Sequence, residues 1–250
     1  MGLQDRLLEA ALPLAQGVTV SDVRIGLGYT AVLLDNGGAG VAYTFLDEAA
    51  GGCSVYRNIR PLAGRPAVDL LRLFETGGHI EAALALATAN GVCNRPEQTY
   101  HRGDILEHLP IGPEDRVGMV GHFGPLVPLI RQQAKALYIF EQIDLPQGDL
   151  LPVAQAERLL PQCQVALLTS TSLINHTADH LLGLAGSCRD VAFLGASTPL
   201  CPEVFQGTGV TILSGIAVVD SKMILQIVSE GGGMRFFKGS VEKVNLLLSS

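Results

Sequence analysis

The chain opens with apolar residues at helical spacing. Leu3, Leu7, Leu8, Ala11 and Leu12 recur three and four positions apart, which predicts an amphipathic helix over 3–15 that ends near Gly17. Residues 20–46 are extended and apolar on either side of Asn36-Gly37, a dipeptide that tolerates positive φ at both central positions of a tight turn, so a β-hairpin is predicted. After a loop at Gly51-Gly52, residues 66–76 and 79–93 read as two helices separated by Gly77-Gly78. The first unit, 1–100, is therefore expected to be a small α+β domain.

From Asn94 to Glu114 the chain turns polar and proline-bearing, with one short apolar patch, which marks a domain junction. Beyond it the pattern changes. Short apolar runs at 116–121, 136–142, 164–170, 190–196 and 210–220 alternate with helical segments at 125–135 and 173–186. Apolar strands separated by helices argue for a mostly parallel, doubly wound α/β sheet over 101–250, whose ligands sit at the carboxyl ends of the strands. The glycines at 231–233 are read as a loop before a last strand.

Composition narrows the function. Apolar residues make up 48% of the chain and charged ones 16%, enough for a buried core and too few charges for disorder. The formal charge of -7, with no Lys/Arg cluster, excludes a nucleic-acid partner as the expectation. There is no apolar run of the roughly 18 residues a membrane span needs, and the first residues lack the basic-then-apolar order of a signal peptide, so a cytoplasmic protein without membrane insertion is expected. Cys53, Cys93, Cys163, Cys188 and Cys201 are odd in number, scattered and without a CxxC pair, which argues against a disulfide framework. Cys163 and Cys188 fall near strand starts and are read as inert thiols.

Three strand ends carry candidate chemistry. The first runs into Gly121-His122-Phe123-Gly124-Pro125, where a helix beginning at Pro125 would aim free amides at an anionic group. Gly118, Gly121 and Gly124 depart from the GxGxxG dinucleotide fingerprint, yet Glu141 closes the next strand about twenty residues on, where a ribose-binding acid would stand. The third strand ends in Thr169-Ser170-Thr171-Ser172 and reaches Asn175, a hydroxyl cluster suited to a carboxylate or phosphate, or to ordinary helix capping. The fourth ends in Ser197, Thr198 and Pro199, followed by Cys201 and Glu203. With His122 and His176 these last two would offer soft and borderline ligands to a transition metal, although their spacing matches no closed zinc site. There is no GxSxG elbow and no Walker A lysine.

The segments VGMVGHFGPLVP, TSTSLIN and LGASTPLCPEVFQGTGVTILSG, in that order, resemble the successive motifs of the DUF364 family. The hairpin and the ATANGVCN helix end resemble the DUF4213 region that precedes it, and the family is described as heavy-metal chelation proteins. The resemblance implies an enolase-N-terminal-like domain joined to a Rossmann-like domain, a site in the cleft between them and a homodimer. Carried over residue by residue, it places the glycine-proline turn on Gly121, Phe123, Gly124 and Pro125, the LIN motif on Thr169, Thr171 and Asn175, and the STPL motif on Ser197, Thr198 and Pro199, with Asn90 contributing from the first domain. The expected ligand is a small molecule, either a transition metal or a metal-chelating compound, in an anion-friendly cleft. A nucleotide- or S-adenosylmethionine-binding enzyme and a non-enzymatic sensor or scaffold are the alternatives.

Overall fold

The computed structural model describes residues 1–45, 56 and 58–248; the expected Gly51-Gly52 loop and Cys53 lie outside the described residues. Helix α1 (Leu3–Leu14) buries Leu3, Leu7, Leu8 and Ala11, the stripe read from the sequence. It is followed by an antiparallel three-stranded sheet of β1 (Val20–Ile25), β2 (Tyr29–Leu34) and β3 (Ala39–Tyr43). One hairpin was expected and two are found. Asn36-Gly37 makes the β2–β3 turn with Gly37 at φ 82°, whereas a second reversal at Gly26–Gly28, closed by the Gly26 amide on the Tyr29 carbonyl at 2.9 Å, divides the preceding apolar run.

The predicted helix over 66–76 is only half α-helical. It consists of α2 (Ala67–Leu71) tightened into a 3₁₀ turn over Arg72–Thr76, which Gly77 ends in the left-handed region at φ 78°. Helix α3 (His79–Cys93) is buried from Ile80 onward at every position but Glu81, as suits a helix that is apolar on all faces. It lies against β3 at backbone distance, because a Cβ at Gly40 would stand 2.2 Å from the Ala87 carbonyl oxygen and 2.3 Å from the Gly91 nitrogen.

The second sheet has eight strands: β4 (His101–Arg102), β5 (Arg116–Val120), β6 (Ala136–Glu141), β7 (Leu150–Pro152), β8 (Val165–Thr169), β9 (Asp190–Leu194), β10 (Ile212–Val218) and β11 (Val241–Leu247). Their order is β4-β11-β10-β9-β8-β5-β6-β7. The six from β7 to β10 are parallel, and β11 and β4 join antiparallel at one edge. Counted along the chain, the parallel part runs third-second-first-fourth-fifth-sixth, the doubly wound order whose direction reverses between the first and fourth strands, here β5 and β8. Helices α4 (Val127–Gln133), α5 (Ala156–Leu159) and α6 (Ala178–Leu184) lie in the crossovers, and α7 (Ser221–Ser229), absent from the sequence reading, precedes β11.

Both faces of the parallel sheet are covered, so its strands are apolar throughout. Ala166, Leu168, Phe140 and Phe193 pack with α3, α5 and α6 in a cluster that also takes in α1; Val165, Leu167, Val117 and Met119 pack with Ile130 of α4 and Ile105 on the other face. The core of the small unit is thus continuous with one face of the large sheet. Among the described residues no helix is long and apolar enough to cross a membrane.

Candidate functional site

Two parallel neighbours, β5 and β8, end together, with Val120 opposite Leu168. The turns that follow them, Gly121–Pro125 and Thr169–Asn175, therefore leave the same edge of the sheet side by side. Gly121 makes the approach possible: it sits at φ 90°, and a Cβ there would be 3.0 Å from the Thr169 Cβ. Above the turns, where the strand order reverses, a cavity of about 700 Å³ opens between the large sheet and the small unit.

Tyr43, Phe45 and His79, all from the small unit, line one side of this cavity. Tyr43 meets Phe45 edge-to-face at 5.0 Å between ring centroids, and Phe45 meets His79 at 5.4 Å, so the rings form a continuous wall. The opposing side is hydroxyl- and amide-bearing. Thr169 and Thr171 approach each other at 3.0 Å between hydroxyls, and the Thr177 hydroxyl donates to the Asn175 side-chain carbonyl at 2.7 Å. Glu141 stands at the end of β6, its Oε1 accepting from the His122 amide at 2.6 Å and its Oε2 from the Gln142 amide at 3.3 Å.

That last arrangement corrects one expectation. The helix after the first strand begins at Val127 rather than Pro125 and has seven residues, with Pro128 in its first turn. The His122 amide, expected to face an anionic ligand, is already held by the protein's own carboxylate. The helix expected to follow Thr169 is also interrupted: a 3₁₀ turn spans Ser170–Leu173, His176 takes the left-handed conformation at φ 60°, and α6 starts only at Ala178.

The residues singled out from the sequence separate into two groups. Gly121, His122, Phe123, Glu141, Thr169, Thr171 and Asn175 line the cavity. Asn90, Ser170, Ser197, Thr198 and Pro199 are buried and do not line it. Asn90 donates to the Val41 carbonyl at 2.9 Å, tying α3 to β3. The Ser197 hydroxyl accepts from the Tyr43 amide at 2.8 Å, which fixes the aromatic wall to the large sheet. Thr198 offers its carbonyl to the Asn94 side chain at 2.8 Å. Gly124 and Pro125 line a second, smaller cavity. Sequence reasoning missed Tyr43, Phe45 and His79, because strand ends of the large sheet gave no sign of which small-unit side chains would be laid across them.

The four-residue metal cluster does not form. His122 is on the cleft wall, and His176 Nδ1 is 2.8 Å from the Gln4 side-chain carbonyl beside α1. Cys201 is buried against Cys93, its thiol donating to Glu203 at 3.2 Å. Among the described residues no three His, Cys, Asp or Glu side chains converge to hold an ion, so these residues do not fit a metal held by protein groups alone. The described cysteines are free thiols. Burial pushes the Cys163 thiol up to about 12 and Cys188 up to about 11, and Cys201 is raised by its hydrogen bond with Cys93 and by burial.

A doubly wound sheet with a cleft at its switch point, roofed by a small α+β unit, defines a two-part α/β protein of Rossmann-like fold as a class. The chain belongs to the DUF364 family, whose model, described as "Putative heavy-metal chelation", matches residues 104–247; the DUF4213 model, with the same description, matches residues 8–93. An uncharacterized protein of Methanocaldococcus jannaschii is 24% identical over 252 residues, covering 98% of this chain and 96% of its own. The fold is shared with a DUF364 protein of unknown function from Pyrococcus horikoshii, at TM-score 0.82 and 23% identity over 99% of this chain and 100% of that one. A second, from Desulfitobacterium hafniense, aligns at TM-score 0.75 and 23% identity over 97% and 98% of the two chains.

Proposed function

We propose that the protein binds a small organic metal chelator, with or without its metal, in the 700 Å³ cleft. The observation that carries this reading is the pairing of an aromatic wall, Tyr43, Phe45 and His79, with the polar crest of Thr169, Thr171 and Asn175. Ring faces supply apolar contact area, while hydroxyls and an amide orient a polar ligand, the division of labour usual in ligand pockets. The metal enters as part of the ligand, since the described residues do not surround an ion. Homodimerisation, which the family resemblance implies, belongs to the same proposal and is read by light scattering of the purified protein.

Titration calorimetry tests this reading. Metal-free protein is titrated with Ni, Co, Zn, Cu and Fe ions, each alone and as its iminodiacetate complex. The expected result is heat from at least one complex, little from the ion alone, and loss of binding in Thr171→Val. Tight stoichiometric binding of a bare ion would overturn the organic-ligand reading, and silence from every ion and complex would remove metal handling.

A second reading is favoured by the strand order and by Glu141 at the end of the second strand, where an acid binds ribose hydroxyls in nucleotide folds. Under it the cleft takes a nucleoside-bearing ligand such as S-adenosylmethionine, and Glu141→Ala weakens binding by about 1–3 kcal/mol. Equal thermal stabilisation of wild type and variant by that ligand would discard it.

A further inference from the structure

A second cavity, of about 370 Å³, lies on the far side of the Gly121–Pro125 turn, so that His122 and Phe123 line both spaces. It reaches the end of β9 and the middle of β10, the half of the sheet away from Glu141, and its body is apolar: Ile105, Leu126, Leu194, Ile216 and Met234. Two opposite charges face this space, Asp104 and Lys243, and no ion pair joins them. Asp104 caps a 3₁₀ turn through Oδ1, which accepts from the Leu106 amide at 3.1 Å, and Oδ2 has no partner among the described residues. The Lys243 side chain, on β11, makes no hydrogen bond or ion pair within them either. The Gly124 N–H and the Tyr29 hydroxyl are free donors in the same lining; burial pushes Tyr29 up to about 12, so the hydroxyl keeps its proton. The floor is kept open by Gly195, at φ 128°, where a Cβ would stand 2.9 Å from the buried, unpartnered Ser170 hydroxyl.

An acid and a base that face one small space without neutralising each other are complementary to a ligand carrying both charges. We propose that this cavity binds the zwitterionic head of an α-amino acid, with its ammonium at Asp104, its carboxylate at Lys243 and the Gly124 N–H, and its apolar chain along Leu126, Leu194 and Met234. The inference rests on the reading of the cleft as a small-molecule site and sharpens it.

The test uses the intact protein and three probes of equal chain length: L-norleucine, hexanoate, which lacks the ammonium, and pentylamine, which lacks the carboxylate. Calorimetry is expected to show norleucine binding at least about tenfold more tightly than either analogue, with a further loss of about tenfold in Lys243→Met and in Asp104→Asn. Asn preserves the cap, so Asp104→Asn is expected to keep the wild-type melting temperature. Thr171→Val, in the larger cavity, is expected to leave norleucine binding unchanged. Hexanoate binding as tightly as norleucine, indifference to both charge variants, or no norleucine binding up to about 10 mM would overturn the proposal. A metal–iminodiacetate complex that still binds in a Thr171-dependent way would then leave the larger cleft's reading standing, and norleucine binding without any complex would do the reverse.

Discussion

Gly121 and Gly124 belong to one turn, but they do different things. At Gly121 the backbone is left-handed and a Cβ would crowd Thr169 at 3.0 Å, so Gly121→Ala is expected to cost about 1–3 kcal/mol, read as a lower urea midpoint at unchanged slope. At Gly124 a Cβ would meet only the His122 ring at an ordinary 3.7 Å, so Gly124→Val is expected to keep the fold and obstruct ligand at the shared wall. From the sequence the two glycines looked equivalent, because φ is not written in residue type. Asp115 shows a charge effect of the same local kind. Hydrogen bonds from Arg189, at 3.0 and 3.2 Å, and from the Gly112 amide hold its carboxyl below the usual range. A carboxyl lowered by folding stabilises the native state above its unfolded value, near 3.9, and that contribution is lost as pH falls through the lower folded value. Wild type is thus expected to lose stability below about pH 4 more steeply than Asp115→Asn, compared by urea midpoints across pH.

Among the elements, α3 decides most about the site. Its end carries Asn94, whose side chain donates to the Thr198 carbonyl at 2.8 Å and the Ile216 carbonyl at 3.3 Å and accepts from the Leu200 amide at 2.8 Å, so one buried amide clamps the small unit to two segments of the large sheet. Asn94→Ala leaves those groups unpaired and is expected to destabilise by about 2–5 kcal/mol in denaturant titration, since each buried unsatisfied group costs about 1–3 kcal/mol. The contact between α3 and β3 is equally strict. Gly40→Ala drives a methyl into the Ala87 carbonyl and is expected to lower the melting temperature sharply and to displace the aromatic wall. The helix itself was legible in residues 79–93, as were the parallel strands, because their apolar patterns are local. The division of residues 20–34 into β1 and β2 was not, since Gly26 and Gly28 fall between two stretches that both read as strand and carry no turn dipeptide like Asn36-Gly37.

The molecule as a whole shares a core. One apolar cluster runs from Leu3 and Leu84 in the small unit to Phe140, Phe193 and Leu213 in the large one. We propose that the chain divides near residue 100 into two units that depend on each other. The full protein is then expected to unfold in one cooperative transition by far-UV circular dichroism, while a fragment of residues 101–250 binds a hydrophobic dye through the face that α3 covers. Separate transitions in the intact chain would show two independent cores.

Periodicity and turn chemistry acting over a few residues were enough to determine, from the sequence by itself, the opening helix, the Asn36-Gly37 turn, the parallel sheet and the strand-end turns, and the motif order at those turns was enough for the family. The tertiary structure alone decided what surrounds those turns. It laid Tyr43, Phe45 and His79 over Thr169 and Thr171, gave the His122 amide to Glu141, turned Ser197 and Asn90 into struts, and brought Cys201 to Glu203 without a third member of the expected metal set. The physical reason is range: hydrogen bonds such as Tyr43 to Ser197 join residues 154 positions apart, and no local pattern records which side chains a crossover connection will bring face to face.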